Sequence, residues 1–93
     1  MCENCKLQLD DTVDLMLSED YRSRFKAEYL QTKIRYEKLH NTIVKYEANT
    51  LDFSPNCPLD LLKSQASAMG NYLYTLEIRA ELEHIVLKEE ITK

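Results

Sequence analysis

The sequence predicts an all-α fold: a long antiparallel helical hairpin with a short N-terminal helix, assembling into a homo-oligomer. Three observations carry that reading. The 93 residues include one Gly and two Pro, far too little punctuation for a β domain that turns every ten residues or so. Two long stretches repeat apolar side chains in steps of four and three, the spacing of a helical seam and not the alternation of a strand. Between them lies one clear break, residues 49–58, which holds both prolines.

The short first helix is expected over about residues 10–17, with Leu9, Val13, Met16 and Leu17 on one side. Ser18 reads as the N-cap of the next helix, since its hydroxyl can accept from a free N–H of the following turn. Glu19 and Asp20 would then sit in the first turn, where the helix dipole favours negative charge. This second helix is expected over about 19–48. Phe25, Tyr29, Thr32, Tyr36, Leu39, Ile43 and Tyr46 form its seam, with Leu30, Ile34 and Val44 widening the buried face.

Asn49 suits a helix C-terminus, and Pro55 and Pro58 are excluded from helix interior. Leu51 and Phe53 are expected to fold back over the hairpin end. The third helix is expected over about 58–88, with Pro58 at its first position. Leu62, Ala66, Met69, Leu73, Leu76 and Ala80 form the answering seam. Leu61, Tyr72, Ile78, Leu82, Ile85 and Val86 lie outside it. A hairpin covers one face of each helix, so these side chains call for the short helix, another subunit, or both. Two helices of roughly 45 Å enclose little volume, which makes a single copy marginal. Gly70, in mid-helix, would have a reason if helices approached closely at an oligomer interface; simple tolerance explains it equally well.

The totals exclude several function classes. No run of about twenty apolar residues exists, so no membrane span is encoded. The first twenty residues set six acids against one Lys, which is wrong for a signal or transit peptide and makes a cytoplasmic location the expectation. Cys2 and Cys5 have metal-ligand spacing, but zinc requires a second pair of ligands, and His40 and His84 are far apart. Free thiols at Cys2, Cys5 and Cys57 are expected, with no metal and no cofactor. No Gly-rich phosphate loop, His-Glu-x-x-His or nucleophile elbow occurs, so an enzyme is not expected.

The net charge of −4 conceals a sharper pattern. Residues 22–45 hold seven Lys and Arg against two Glu, whereas residues 1–20 and 46–93 are both acidic. Arg24, Arg35, Lys38 and Lys45 fall on one side of the basic helix, with Arg22, Lys26 and Lys33 beside them. Such a stripe serves either as a solvated face matched by acids of the third helix or as a cleft for phosphates. Tyr21, Phe25, Tyr29 and Tyr36 interleave with the cations, and aromatic faces stack nucleobases while cations neutralise phosphate. An acidic protein is repelled by an extended phosphate backbone, so polymeric nucleic acid is not expected as a partner. Arg79 is the one Arg of the third helix, set among Glu77, Glu81 and Glu83; an intrahelical ion pair is its plain reading.

Tyr21-x-x-Arg24-Phe25-x-x-Glu28-Tyr29, Lys38-Leu39 and Gln65-x-x-x-Met69-x-x-Tyr72-x-x-x-Leu76-x-x-Arg79 together resemble a family of very small phage proteins. That family is related to early proteins of crAss-like phages and is similar to the phage anti-CBASS cyclic-nucleotide sponges. The likeness spans roughly residues 19–87. It implies a helical homo-oligomer, a hexamer in the sponge family, that binds cyclic di- or trinucleotides without cleaving them in the cytoplasm of an infected bacterium. It further implies that Tyr21 stacks on a base, that Lys38 meets phosphate and that Arg79 serves a separate trinucleotide site. Arg24 and Phe25 of the same motif join them as ligand-binding candidates. The N-terminus and the 49–58 loop depart from the family pattern, which leaves the nucleotide's identity open. The alternative is a helical interaction module, such as a phage adaptor that inhibits a host protein.

Overall fold

The computed structural model describes residues 8–87; Cys2 and Cys5 lie outside them. A 3₁₀ turn over Leu9–Thr12 runs into a one-turn helix α1 (Val13–Met16), followed by two long helices, α2 (Tyr21–Glu47) and α3 (Leu59–Glu83). Helices α2 and α3 pack as a hairpin, and α1 lies against α2. Among the described residues there is no strand, and no helix is long and apolar enough to cross a membrane.

The start of α2 differs from the sequence expectation by two residues. Asp20, not Ser18, is the cap: its carboxylate accepts from the Ser23 N–H at 3.3 Å and from the Ser23 hydroxyl at 3.0 Å. Ser18 instead accepts the Asp20 N–H on its hydroxyl at 3.0 Å, which holds the link between α1 and α2. Both residues have the chemistry of a cap, and the one whose oxygen reaches two donors takes the position.

The short first segment also buries a different face. Val13 and Leu17 are exposed at 45% and 75%, while Thr12 is fully buried and Leu15 packs against the core. Polar chemistry decides this. The Thr12 hydroxyl donates to the Leu9 carbonyl at 2.7 Å and accepts from Gln31 Nε2 at 2.8 Å, so the segment is pinned to α2 through Thr12. Ala27 and Leu30 are buried as well.

The two seams meet most tightly at the α1 end of the hairpin. Phe25, Tyr29 and Leu30 of α2 pack with Leu73, Leu76 and Ala80 of α3 and with Ile85 beyond it. Toward the loop the seam loosens: Leu39, Leu62, Ala66 and Met69 are half-buried, and Tyr46 is exposed. Ile43 is buried. Leu51 is half-buried, but Phe53 is 57% exposed and does not fold back as expected. An exposed ion pair, Lys63 to Glu47, ties the loop ends together and is worth little in solvent.

Both long helices stop in the left-handed conformation at a residue that is not glycine, Asn49 (φ 64°) and His84 (φ 59°). After α2, the Thr50 N–H reaches the Lys45 carbonyl at 2.9 Å and the Asn49 N–H reaches Tyr46 at 3.1 Å, the paired bonds of a Schellman stop. After α3, the Ile85 N–H returns to the Ala80 carbonyl at 2.9 Å. The helix therefore ends at Glu83 rather than near 88, and Ile85 turns back into the core.

Gly70 lies inside the hairpin. A Cβ placed there would meet Tyr36 Cε1 at 3.7 Å, an ordinary contact, so neither close approach nor backbone conformation requires glycine. Gly70→Ala is therefore expected to raise stability by about 0.5–1 kcal/mol through helix propensity. Urea denaturation should show a higher midpoint with an unchanged slope.

Candidate functional site

The first turn of α2 and the last turn of α3 stand side by side, and their side chains interlock. Tyr21 Oη donates to Glu83 Oε1 at 2.8 Å and accepts from Arg79 Nη2 at 2.8 Å. Arg79 Nε reaches Glu83 Oε2 at 3.4 Å, the ion pair of spacing four that the sequence suggested. The guanidinium lies over the Phe25 ring, with Cζ 4.8 Å from the centroid, a cation–π distance. Tyr21 packs edge-on against Phe25, with centroids 6.0 Å apart.

Arg22 completes the junction. Its Nη1 donates to the His84 carbonyl at 2.9 Å and its Nη2 to the Glu83 carbonyl at 3.0 Å. These are carbonyls that the end of a helix leaves without an intrahelical donor, at its negative pole, so a fixed guanidinium fork satisfies both in hydrogen bonding and in charge. The fork also holds His84 in its left-handed conformation.

Three of the five sequence candidates, Tyr21, Phe25 and Arg79, thus share one cluster. Tyr21 is 46% exposed and Phe25 only 2%, so Phe25 can supply a floor for the cation but not a free face for a base. Arg24 is not part of it: its Nη1 donates to the Ser18 carbonyl at 2.9 Å. Lys38 follows Tyr21 by seventeen positions on α2, about 25 Å of helix rise, and does not join the cluster within one chain.

On the other flank of α3 a groove of about 770 Å³ opens, within the range that takes a small ligand. Tyr29 and Lys33 of α2 and Glu77, Glu81, His84 and Leu87 at the α3 end line it. Tyr29 Oη donates to Glu77 Oε2 at 2.7 Å, and the Lys33 ammonium sits 5.9 Å from the Tyr29 centroid. Arg79 and Glu81 are about 200° apart around the helix, which separates cluster from groove while both share the same end of the hairpin.

Sequence reasoning missed the roles of Arg22 and Glu83. Arg22 was legible as part of a basic stripe, but its task is set by a carbonyl sixty-two positions away. The signal that points to it is geometric: an antiparallel hairpin puts the first turn of one helix beside the last turn of the other. Among the described residues, no group of three or more His, Cys, Asp or Glu could hold a metal ion. Cys57 is an exposed free thiol.

The Tyr21 phenol is shifted above its ordinary value of 10.0, first because Glu83 accepts its proton and next through desolvation, with Arg79 opposing. The folded state thus favours the neutral phenol. That contribution is full below the usual tyrosine range and disappears as pH rises through the shifted value. Glu83→Gln is expected to bring the ionisation of Tyr21 back down. A spectrophotometric titration against Tyr21→Phe would assign the band, and an unmoved band would contradict the arrangement.

Comparison with curated proteins returns no match, and comparison with solved structures returns none either. The sequence model of the Sequestin family, by contrast, matches residues 19–82. The match takes in all of α2 and all but the last residue of α3, and with them Tyr21, Arg22, Phe25 and Arg79. With well over half of its length covered in this way, the chain belongs to the Sequestin family.

Proposed function

We propose that this protein binds and sequesters a small phosphate-bearing nucleotide signal, a cyclic di- or trinucleotide immune second messenger, without cleaving it. The observation that carries the reading is the pairing of an exposed Tyr21 ring with the Arg79 guanidinium, itself held over Phe25. A ring for a base and a guanidinium for a phosphate, a few ångströms apart, are the two halves of nucleotide recognition. The family's name denotes sequestration, which fits a binder with no catalytic constellation in its sequence.

In the free chain the Glu83 carboxylate occupies the anion position on both Tyr21 and Arg79. A ligand phosphate would take over the Arg79 donors, and Glu83 would turn toward solvent. Lys38 and Arg24 would contribute from other copies of the chain or at the periphery. The functional form on this reading is a homo-oligomer of single helical domains spanning residues 1–93, with a hexamer as in the sponges, made by a phage and acting in the cytoplasm of the infected cell.

A second reading, a helical module that engages a host protein, draws on exposed apolar side chains such as Leu61 at 58% and Leu82 at 75%. The two separate cleanly. A thermal-shift and calorimetry panel of cyclic di- and trinucleotides, with linear nucleotides as controls, is expected to raise the melting temperature for at least one cyclic member. Tyr21→Ala and Arg79→Ala should each weaken that binding tenfold or more, the scale of a lost charged hydrogen bond or stacking contact. The absence of any shift across the panel would remove the nucleotide reading and leave the protein-binding one.

A further inference from the structure

The seven cations of α2 do not share one fate. Arg22 and Arg24 are committed to backbone carbonyls, and Lys33 lies over the Tyr29 ring. Arg35, Lys38 and Lys45 are exposed, and among the described residues their side chains form no hydrogen bond or ion pair. The acids of α3 do not reach them. The neighbours Tyr29 and Glu77, Tyr36 and Gly70, and Glu47 and Lys63 set residues 64–76 of α3 beside this part of α2. That stretch contains no Asp or Glu. Glu37 stands on another side of α2, and Glu47 is taken by Lys63.

These three cations belong to a longer line. Arg24, Glu28, Gln31, Arg35, Lys38, Thr42 and Lys45 follow one another in steps of 4, 3, 4, 3, 4 and 3, the spacing along which one helix lies on another. The chain's own first segment occupies the beginning of that line. The Ser18 carbonyl accepts from Arg24 and the Thr12 hydroxyl from Gln31, so the segment runs antiparallel to α2. It brings with it Asp10, Asp11 and Asp14, all exposed. Past Gln31 the line continues for about 21 Å of helix rise, and there its cations stay exposed.

We propose that this second half of the line docks an acidic amphipathic helix of another protein, laid end to end with the chain's own acidic first segment. Carboxylates repeating every three to four residues on such a helix meet Arg35, Lys38 and Lys45 at the same rise. Half-buried Ile34 on one side, with half-buried Leu39 and exposed Tyr46 on the other, gives its apolar side chains a contact. An acidic helix suits this strip better than polymeric nucleic acid does. The net charge of −4 repels an extended polyanion, and the line carries no aromatic ring on which a base could stack. The inference rests on the protein-binding reading and gives it a surface and a partner chemistry. Tyr21 precedes Arg35 by about 21 Å of rise, so the nucleotide cluster is not involved. Lys38 enters both readings and is left intact in the variants.

The probe is a capped helical peptide of about twenty residues, with Glu at steps of three and four and Leu beside them. The same peptide with Lys for Glu is its control. Fluorescence anisotropy with the full chain is expected to show binding of the Glu peptide alone, at least tenfold weaker at about 300 mM salt than at about 50 mM. Arg35→Glu combined with Lys45→Glu, both at exposed positions, should keep the helical circular dichroism. That variant should bind the Glu peptide tenfold less tightly or worse and gain the Lys peptide. Tyr21→Ala should leave the Glu peptide's affinity unchanged, so the nucleotide reading and this one fail separately. No binding of the Glu peptide, or binding indifferent to the double variant, would overturn this surface and leave the protein-binding reading only its apolar side chains on α3. A single-stranded DNA oligonucleotide that binds more tightly than the peptide, and is lost in the double variant, would overturn the choice of partner in favour of nucleic acid. A fall in mass by light scattering in that variant would overturn it in favour of a second copy.

Discussion

Arg22 bridging two carbonyls at the end of α3 is the contact on which the hairpin's working end depends. Helix ends are where a small helical protein is weakest, because the last carbonyls lack partners and water competes for them. Here one guanidinium satisfies two of them at once. Tyr21, one position earlier, and Phe25, one turn later, are brought by the same helix to the flank of α3 where Arg79 and Glu83 wait. The interhelical bonds of Tyr21 to Glu83 and to Arg79 are exposed and individually modest. Together with the buried Phe25, Tyr29, Leu76 and Ala80 beneath them, they fix the relative position of two terminal turns that would otherwise fray.

The distribution of packing follows from that junction. The core is concentrated where α1, α2 and the segment after α3 converge, and it thins toward the loop at 48–58. The end of the hairpin with three layers is also the end with the cluster and the groove. A rigid floor under exposed polar groups is what a binding site needs, since donors that are already held do not have to be ordered by the ligand. The far end, with Phe53 and Tyr46 exposed, has no such support.

The helical seams were legible in the sequence because burial repeats every three to four residues on any helix with one covered side. Phe25, Tyr29 and Ile43, and Leu73, Leu76 and Ala80, are buried where the stepping placed them. Ends were less legible. Ser18 and Asp20 carry equivalent capping groups two positions apart, and only their surroundings choose between them. The stop at His84 left no glycine to announce it. In the candidate site, Tyr21, Phe25 and Arg79 converge, but the reason is long-range pairing that no local pattern encodes. Arg24 shares their helix and turns to Ser18 instead, since position on a basic stripe says nothing about which oxygen a guanidinium will find.

The left-handed stops have one more consequence. Most helices that end this way do so with glycine, which leaves bare backbone at the corner. This chain places an imidazole at one corner and a carboxamide at the other, and each lines a depression in the surface: His84 the groove beside Lys33, and Asn49 the smaller hollow formed with Tyr46 and Phe53. The residues that turn the chain are therefore also functional groups presented to whatever arrives there. The two corners thus carry side-chain chemistry as well as the turn itself.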